Sequence, residues 1–247
     1  MPEPPKPIAV ESAPEARAIL DHPPPRARET GLLEVAGSTV EEKLAALRAL
    51  AENWEPARAL GSLRTKMVFA TGDAHARLMF VGEAPGAEEE KLGEPFVGPA
   101  GQKLTAIIKA MGLERGQVYI TNICKFRPAM DNQGSGNRKP TASEMAACVS
   151  FVLTEISLIK PQVIVALGAT AAEGLGLTGS VSGLRGRFHR TNDTPTMVTY
   201  HPSYLLREEK LGDGLHAKRQ VWEDMLQVME ALKLPISEKQ RGYFRAK

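Results

Sequence analysis

The chain has 247 residues, 43% hydrophobic and 24% charged, with a net charge of +2. That suits one compact core plus a tail better than two separate domains. It has no run of 18 apolar residues and no apolar signal core at its N-terminus, so neither a membrane span nor secretion is expected, and a cytoplasmic location is. Two cysteines, Cys124 and Cys148, exclude a disulfide framework, a four-cysteine zinc site and a four-cysteine iron–sulfur cluster.

Eight of the 18 prolines lie in residues 1–25. Such a stretch builds neither a helix nor a central strand, so residues 1–37 are expected to form a disordered tail. Order is expected over 38–234, and 235–247 is expected to be a flexible C-terminal tail. Ser38 and Glu41 have the spacing of a capping box, and Leu44, Leu47, Leu50 and Ala51 follow at helical spacing. Four short apolar runs then predict strands buried on both faces, at 77–83, 118–123, 163–168 and 196–201. Helices are predicted between and after them, over 102–111, from a second capping box at Thr141 and Glu144 to about 158, over 169–175 and over 215–232. The alternation predicts an α/β fold of three layers, α/β/α, around a central four-stranded parallel sheet.

Ligands of such sheets bind beyond the C-terminal ends of the strands. A carboxylate, Glu83, follows the first strand, an amide, Asn122, ends the second, and an imidazole, His201, follows the fourth. Each alone is an ordinary loop or cap residue, whereas their convergence is what acid/base or leaving-group chemistry requires. Charge is also one-sided in two loops. Lys125, Arg127, Arg138 and Lys139 face only Asp131 over 121–140, and Arg185, Arg187 and Arg190 have no acid beside them over 183–190. Such loops let the backbone approach a phosphodiester. Other motifs carry no weight. Gly174, Gly176 and Gly179 match a dinucleotide fingerprint but follow a helix rather than a strand. Asn192 opens a glycosylation sequon with nothing to suggest secretion, and the five histidines show no metal spacing.

Six segments in order, 82–86, 93–101, 118–122, 137–141, 165–172 and 201–207, resemble the uracil-DNA glycosylase superfamily, specifically its family 4, which usually carries a [4Fe–4S] cluster. The resemblance runs from about Arg64 to Leu232. It implies the α/β/α fold and hydrolysis of the N-glycosidic bond of uracil in single- or double-stranded DNA, as in base excision repair, by a monomer. By motif match, Glu83 positions or activates water and His201 stabilises the leaving group. Phe96 stacks on the extruded base, Asn122 reads its Watson–Crick edge, and Asn137, Glu89 and Ala84 line its site, with Glu89 near uracil C5. Lys125, Arg127, Arg138, Lys139, Arg185, Arg187 and Arg207 are expected to meet DNA, with Tyr204, Leu205 and Leu206 as a wedge for the gap a flipped base leaves. The chemistry wants these residue types. An amide offers uracil both a donor and an acceptor, an aromatic ring repays part of the cost of unstacking, and a donor stabilises charge on the departing base.

One departure stands out. Of the four cysteine positions that the family uses for its cluster, only Cys148 is matched. Residues 50–66 have no cysteine, Phe126 stands at the third position, and Cys124 falls two residues early. No cluster and no metal are therefore expected, with Phe126 and Trp54 filling the space. Two other readings stay open: a uracil-DNA or damaged-DNA binding protein without turnover, and a small-molecule nucleotide-binding protein. Relatives that trap DNA covalently carry a histidine insert where this chain has Gly136-Asn137-Arg138-Lys139-Pro140, which argues against trapping.

Overall fold

The computed structural model describes residues 31–244. The proline-rich part of the expected tail, up to residue 30, lies outside them. Its last residues are part of the body: the Leu33 amide donates to Thr154 Oγ1 at 3.0 Å, and Leu33 and Val35 pack on a cluster around Phe69 and Phe151.

In chain order the elements are α1 (Val40–Glu52), α2 (Glu55–Arg58), β1 (Leu63–Met67), β2 (Ala70–Gly72), β3 (Leu78–Gly82), α3 (Ala87–Leu92), α4 (Pro99–Ala110), β4 (Tyr119–Asn122) and β5 (Phe126–Pro128). The second half has α5 (Ala142–Ile159), β6 (Val163–Leu167), α6 (Ala169–Gly174), α7 (Val181–Leu184), β7 (Phe188–Thr191), β8 (Thr194–Thr199), α8 (Pro202–Leu211), α9 (Leu215–Ala231) and α10 (Glu238–Arg241). The first capping box forms one residue later than expected. Thr39 accepts from the Glu42 amide, and the Glu42 carboxylate accepts from the amides of Ser38 and Thr39.

The fold is α/β, but the sheet is mixed and wider than expected. Its order is β2-β4-β3-β6-β8-β7. The pairs β4–β3, β3–β6 and β6–β8 are parallel, and the edge strands β2 and β7 run antiparallel to their neighbours. These edges escaped the sequence reading for physical reasons. β2 has three residues, too few for a period. β7 is polar and returns into β8 through Asn192 and Asp193, both at positive φ (44° and 65°), the conformation of a tight two-residue hairpin turn. The sequon is that turn. A separate two-stranded sheet pairs β1 with β5.

Side chains alternate across the central strands. Met79, Val81, Ile164 and Ala166 face one core with Met145, Val149 and Val152 of α5. Leu78, Phe80, Val163 and Val165 face the other with Leu104 and Ile108 of α4 and Val221, Met225 and Val228 of α9. Each of these larger than alanine contributes about 1.5–3 kcal/mol by leaving water. Among the described residues α5 is the one helix long and apolar enough to cross a membrane, with mean hydropathy 1.5. It is instead a core helix, with Met145, Cys148, Val149, Phe151 and Val152 among its buried residues.

The expected flexible segment from 235 onward is packed as far as Tyr243. Trp222 donates to the Gln240 carbonyl at 2.6 Å, Gln240 donates to the Ala110 carbonyl at 2.8 Å, and Tyr243 lies 5.2 Å from the Trp222 ring. α10 thus ties α9 to the end of α4.

Candidate active site

The C-terminal ends of β3, β4, β6 and β8 open into one cleft of about 1060 Å³, whose lining includes Glu83, Ala84, Glu89, Phe96, Asn122, Asn137, Thr170 and His201. The three strand-end residues singled out from the sequence therefore do converge.

Glu83 follows β3, where its Oε2 accepts from Thr170 Oγ1 at 2.5 Å. Thr170 stands in the first turn of α6, so the strand–helix junction after β6 fixes this carboxylate. Sequence reasoning missed Thr170; its signal was its place two residues beyond the strand-end Gly168.

Asn122 is 1% exposed, and its Oδ1 is buried with no hydrogen-bond partner. An unpaired buried carbonyl costs about 1–3 kcal/mol, so the site carries an unmet demand for a donor. Gly82 makes room for this amide: a Cβ there would lie 2.3 Å from Asn122 Oδ1 and 2.5 Å from the Phe96 ring.

Phe96 has φ of 55° and lies 5.7 Å from the His201 ring at a tilt of 36°. Its backbone is clasped by Glu89. One carboxylate oxygen of Glu89 accepts from the Val97 and Gly98 amides at 2.9 and 2.8 Å, and the other accepts from Gly86 at 3.2 Å. Glu89 lines the cleft as expected, but its oxygens are spent on joining the starts of α3 and α4 and holding the turn that carries Phe96. Gly101 completes the device, since a Cβ there would fall 1.9 Å from the Phe96 carbonyl.

His201 precedes the first turn of α8. Its Nδ1 accepts from the Ser203 amide at 3.2 Å and lies 2.8 Å from Ser203 Oγ. A nitrogen that accepts from an amide carries no proton, so the neutral ring is protonated on Nε2. Burial pulls the His201 pKa down to about 4, with Arg207 acting in the same direction and Glu89 against it. The imidazole is a neutral donor at physiological pH.

The basic residues divide sharply: two expected DNA contacts, Lys125 and Arg127, are corrected because they are buried, while Arg138, which lines the cleft, and Arg185 are engaged by acids. Lys125 is fully buried and paired with Glu155. Arg127 is 4% exposed and donates to Glu90, to Asn137 Oδ1 and to the carbonyls of Gly134 and Gly136. It thereby holds the 134–137 loop and Asn137 at the cleft rim. Arg138 grips Glu144 with two nitrogens, at 2.8 and 2.6 Å. Burial opposes the charge on Glu144, yet Arg138, Ser62 and the Thr141 amide bring its pKa down to about 2. Arg185 forks onto buried Asp224. These loops looked one-sided because their acids lie outside them: Glu144 only six residues beyond Arg138, but Glu155, Glu90 and Asp224 in distant elements. Lys139, Arg187 and Arg207 are exposed, Lys139 being paired with Glu173 at 3.1 Å. Lys210, three residues beyond Arg207 on α8, also lines the cleft and was missed.

The expected wedge is corrected in part. Residues 204–207 are helical, which turns Leu205 into the core at 2% exposure. Leu206 is half-buried. Tyr204 lines the cleft and stacks on Tyr200 at 4.6 Å, with the Arg207 guanidinium 5.8 Å from its ring centre.

The chain does not fit a four-thiolate cluster. Cys124 and Cys148 are both buried. Their mutual hydrogen bond and burial push the Cys124 thiol up. Phe126 is buried among them. Trp54 packs edge-on to Phe151 and donates to the Ala147 carbonyl at 2.6 Å, next to Cys148.

Comparison with known proteins agrees with this geometry. Residues 69–226 match the model of the uracil DNA glycosylase superfamily. A type-4 uracil-DNA glycosylase of Thermotoga maritima is 45% identical over 147 residues, covering 58% of this chain and 73% of that protein. A type-4 uracil-DNA glycosylase of Pyrobaculum aerophilum is 36% identical over 161 residues, covering 62% and 79%. A type-5 uracil-DNA glycosylase of the same organism is 29% identical over 152 residues, covering 54% and 64%. With more than half of its length in the family match and the relatives spanned over most of theirs, this chain belongs to the uracil-DNA glycosylase superfamily and sits with its type-4 members.

Proposed function

We propose that this protein is a uracil-DNA glycosylase, acting as a monomer in the cytoplasm on uracil in single- or double-stranded DNA. The observation that carries the reading is the buried, unpartnered Oδ1 of Asn122. Uracil N3–H supplies the missing donor, and its O4 accepts from the other end of the same amide. Cytosine, with an acceptor at N3, leaves the oxygen unpaired, so a buried amide of this kind discriminates strongly. Phe96 stacks on the base and returns about 1–3 kcal/mol of the cost of flipping it. As the glycosidic bond breaks, charge grows on the uracil ring, where the Nε2–H of His201 stabilises it. The sugar becomes cationic, where the Glu83 carboxylate stabilises it and orients the incoming water. Lys139, Arg187, Arg207 and Lys210 are exposed cations that can follow the phosphate backbone, Lys139 by exchanging its surface partner Glu173 for a phosphate.

The test is direct. The purified protein should convert an oligonucleotide with a single uracil to an alkali-labile product, in single strands and opposite guanine, and should leave the matching cytosine oligonucleotide intact. Absence of product at enzyme excess would refute the reading.

The reading includes the absence of an iron–sulfur cluster, supported by the missing ligand positions and by Phe126 and Trp54 beside Cys148. Protein purified without oxygen should be colourless and hold far less than one equivalent of iron, because the site has too few ligands. Stoichiometric iron with visible absorbance would contradict it.

A further inference from the structure

Beneath Asn122 lies a pair of charges that the chemistry above leaves unused. Lys125 and Glu155 are both 0% exposed, and Lys125 Nζ lies 2.9 Å from each carboxylate oxygen of Glu155. Nζ also donates to Thr121 Oγ1 at 2.5 Å and to the main-chain carbonyl of Asn122 at 3.2 Å. Thr121 in turn donates to Glu155 at 2.9 Å. Burying two charges is expensive, and apolar residues of similar volume commonly replace such a pair with no loss of stability. Stability alone is therefore a poor reason for its presence.

The Asn122 side chain suggests a better one. Among the described residues nothing hydrogen-bonds its Oδ1, so its aim depends on its main chain and on packing. The Asn122 backbone is paired with Gly82 on one side, and its carbonyl is held by Lys125. We propose that the buried Lys125–Glu155 pair positions Asn122, holding the end of β4 so that its otherwise ungripped amide meets the base edge. Lys125 and Glu155 are positioning residues: they act through the Asn122 peptide and touch neither DNA nor base. This inference rests on Asn122 being the group that reads uracil.

Three variants test it: Lys125→Met/Glu155→Leu, which removes both charges and leaves neither unpaired, Thr121→Val and Asn122→Ala. Two affinities are measured on the full chain, that for free uracil (as an inhibitor of cleavage) and that for an abasic-site oligonucleotide. The double variant should stay folded, melting somewhat below the parent, and bind free uracil about tenfold more weakly, the worth of one well-aimed hydrogen bond. Its affinity for abasic DNA should stay within about twofold of the parent's, because the phosphate contacts lie elsewhere. Thr121→Val removes one partner of Nζ without unpairing a charge, so it should weaken uracil in the same direction by a smaller factor. It keeps the test decisive if the double variant does not fold. Undiminished uracil binding in the folded charge and threonine variants, with Asn122→Ala losing it, overturns the positioning role. Equal weakening of uracil and abasic DNA means general damage and overturns it too. If Asn122→Ala itself binds free uracil normally, Asn122 does not read the base, and both readings fall.

Discussion

Glu83→Gln is expected to bind a uracil-containing oligonucleotide about as tightly as the parent and to cleave it some 10²–10³ times more slowly in a single turnover. Glutamine keeps the size of the side chain and still accepts from Thr170, whose hydroxyl holds Oε2 at 2.5 Å. What it loses is the negative charge facing a sugar that becomes cationic only in the transition state, and such a loss appears in the rate rather than in binding. His201→Ala should behave alike, because its Nε2–H matters once charge has moved onto the base. The pH profile separates this role from that of an imidazolium. Burial lowers the His201 pKa from 6.5 to about 4, so the ring stays neutral as the pH falls through 6 and 5. No imidazole step near 6.5 should appear in the single-turnover rate. The sign for stability follows. A depressed folded-state value means that the contribution of His201 is present above pH 6.5 and is lost as the pH falls toward 4. If Glu83 were only a loop residue and His201 only the cap of α8, both variants would lose about 1 kcal/mol of stability and cleave normally. Normal single-turnover rates in both would remove these residues from the chemistry.

Much of this site was legible in the sequence because its groups stand at strand ends, and strands buried on both faces are easy to find. The runs around Phe80, Ile120, Val165 and Val198 are nearly continuous, and α/β topology forces their ends together. The edges were not legible. β2 is too short for a pattern, and β7 is too polar. The surface charges misled for a different reason. Arg185 stands in a loop without nearby acids, yet its partner Asp224 arrives from α9, and the partner of Arg138, Glu144, lies just past its loop in the first turn of α5. Lys125 looked like a phosphate contact because its loop is rich in basic residues, but it stands in the bend between β4 and β5 with its side chain in the core, paired with Glu155 of α5. Sequence spacing shows which charges are close along the chain. It does not show which of them the fold pairs. Glu89 is the converse case, a residue placed correctly at the cleft whose oxygens turn out to hold the backbone around Phe96.

Gly82→Ala is expected to reduce single-turnover cleavage by about 10²-fold or more while leaving a folded protein. The added methyl would sit 2.3 Å from Asn122 Oδ1 and 2.5 and 2.6 Å from two atoms of the Phe96 ring. Carbon contacts are favourable only near 3.5–4.0 Å, so something must give by about 1 Å. β3 cannot supply the movement, because the strand is paired with β6 up to Val81 and with β4 to its end, where the partner of Gly82 is Asn122 itself. Phe96 cannot supply it either. Its backbone is already in the left-handed region, its carbonyl is pressed against Gly101, and its neighbours Val97 and Gly98 are clasped by Glu89. The side chains of Asn122 and Phe96 must therefore swing away from the place where the base is held, and a misplacement of about 1 Å can cost 10²-fold in rate. The accompanying loss of stability should be about 1–3 kcal/mol, the usual cost of overpacking, and visible as a lower melting temperature. Free uracil should inhibit the variant far less than the parent, while affinity for an abasic-site oligonucleotide should change little, since the residues that meet phosphate do not touch Gly82. A folded Gly82→Ala protein that cleaved at the parent rate would show that Asn122 and Phe96 do not grip the base together, because the methyl cannot be accommodated without moving at least one of them.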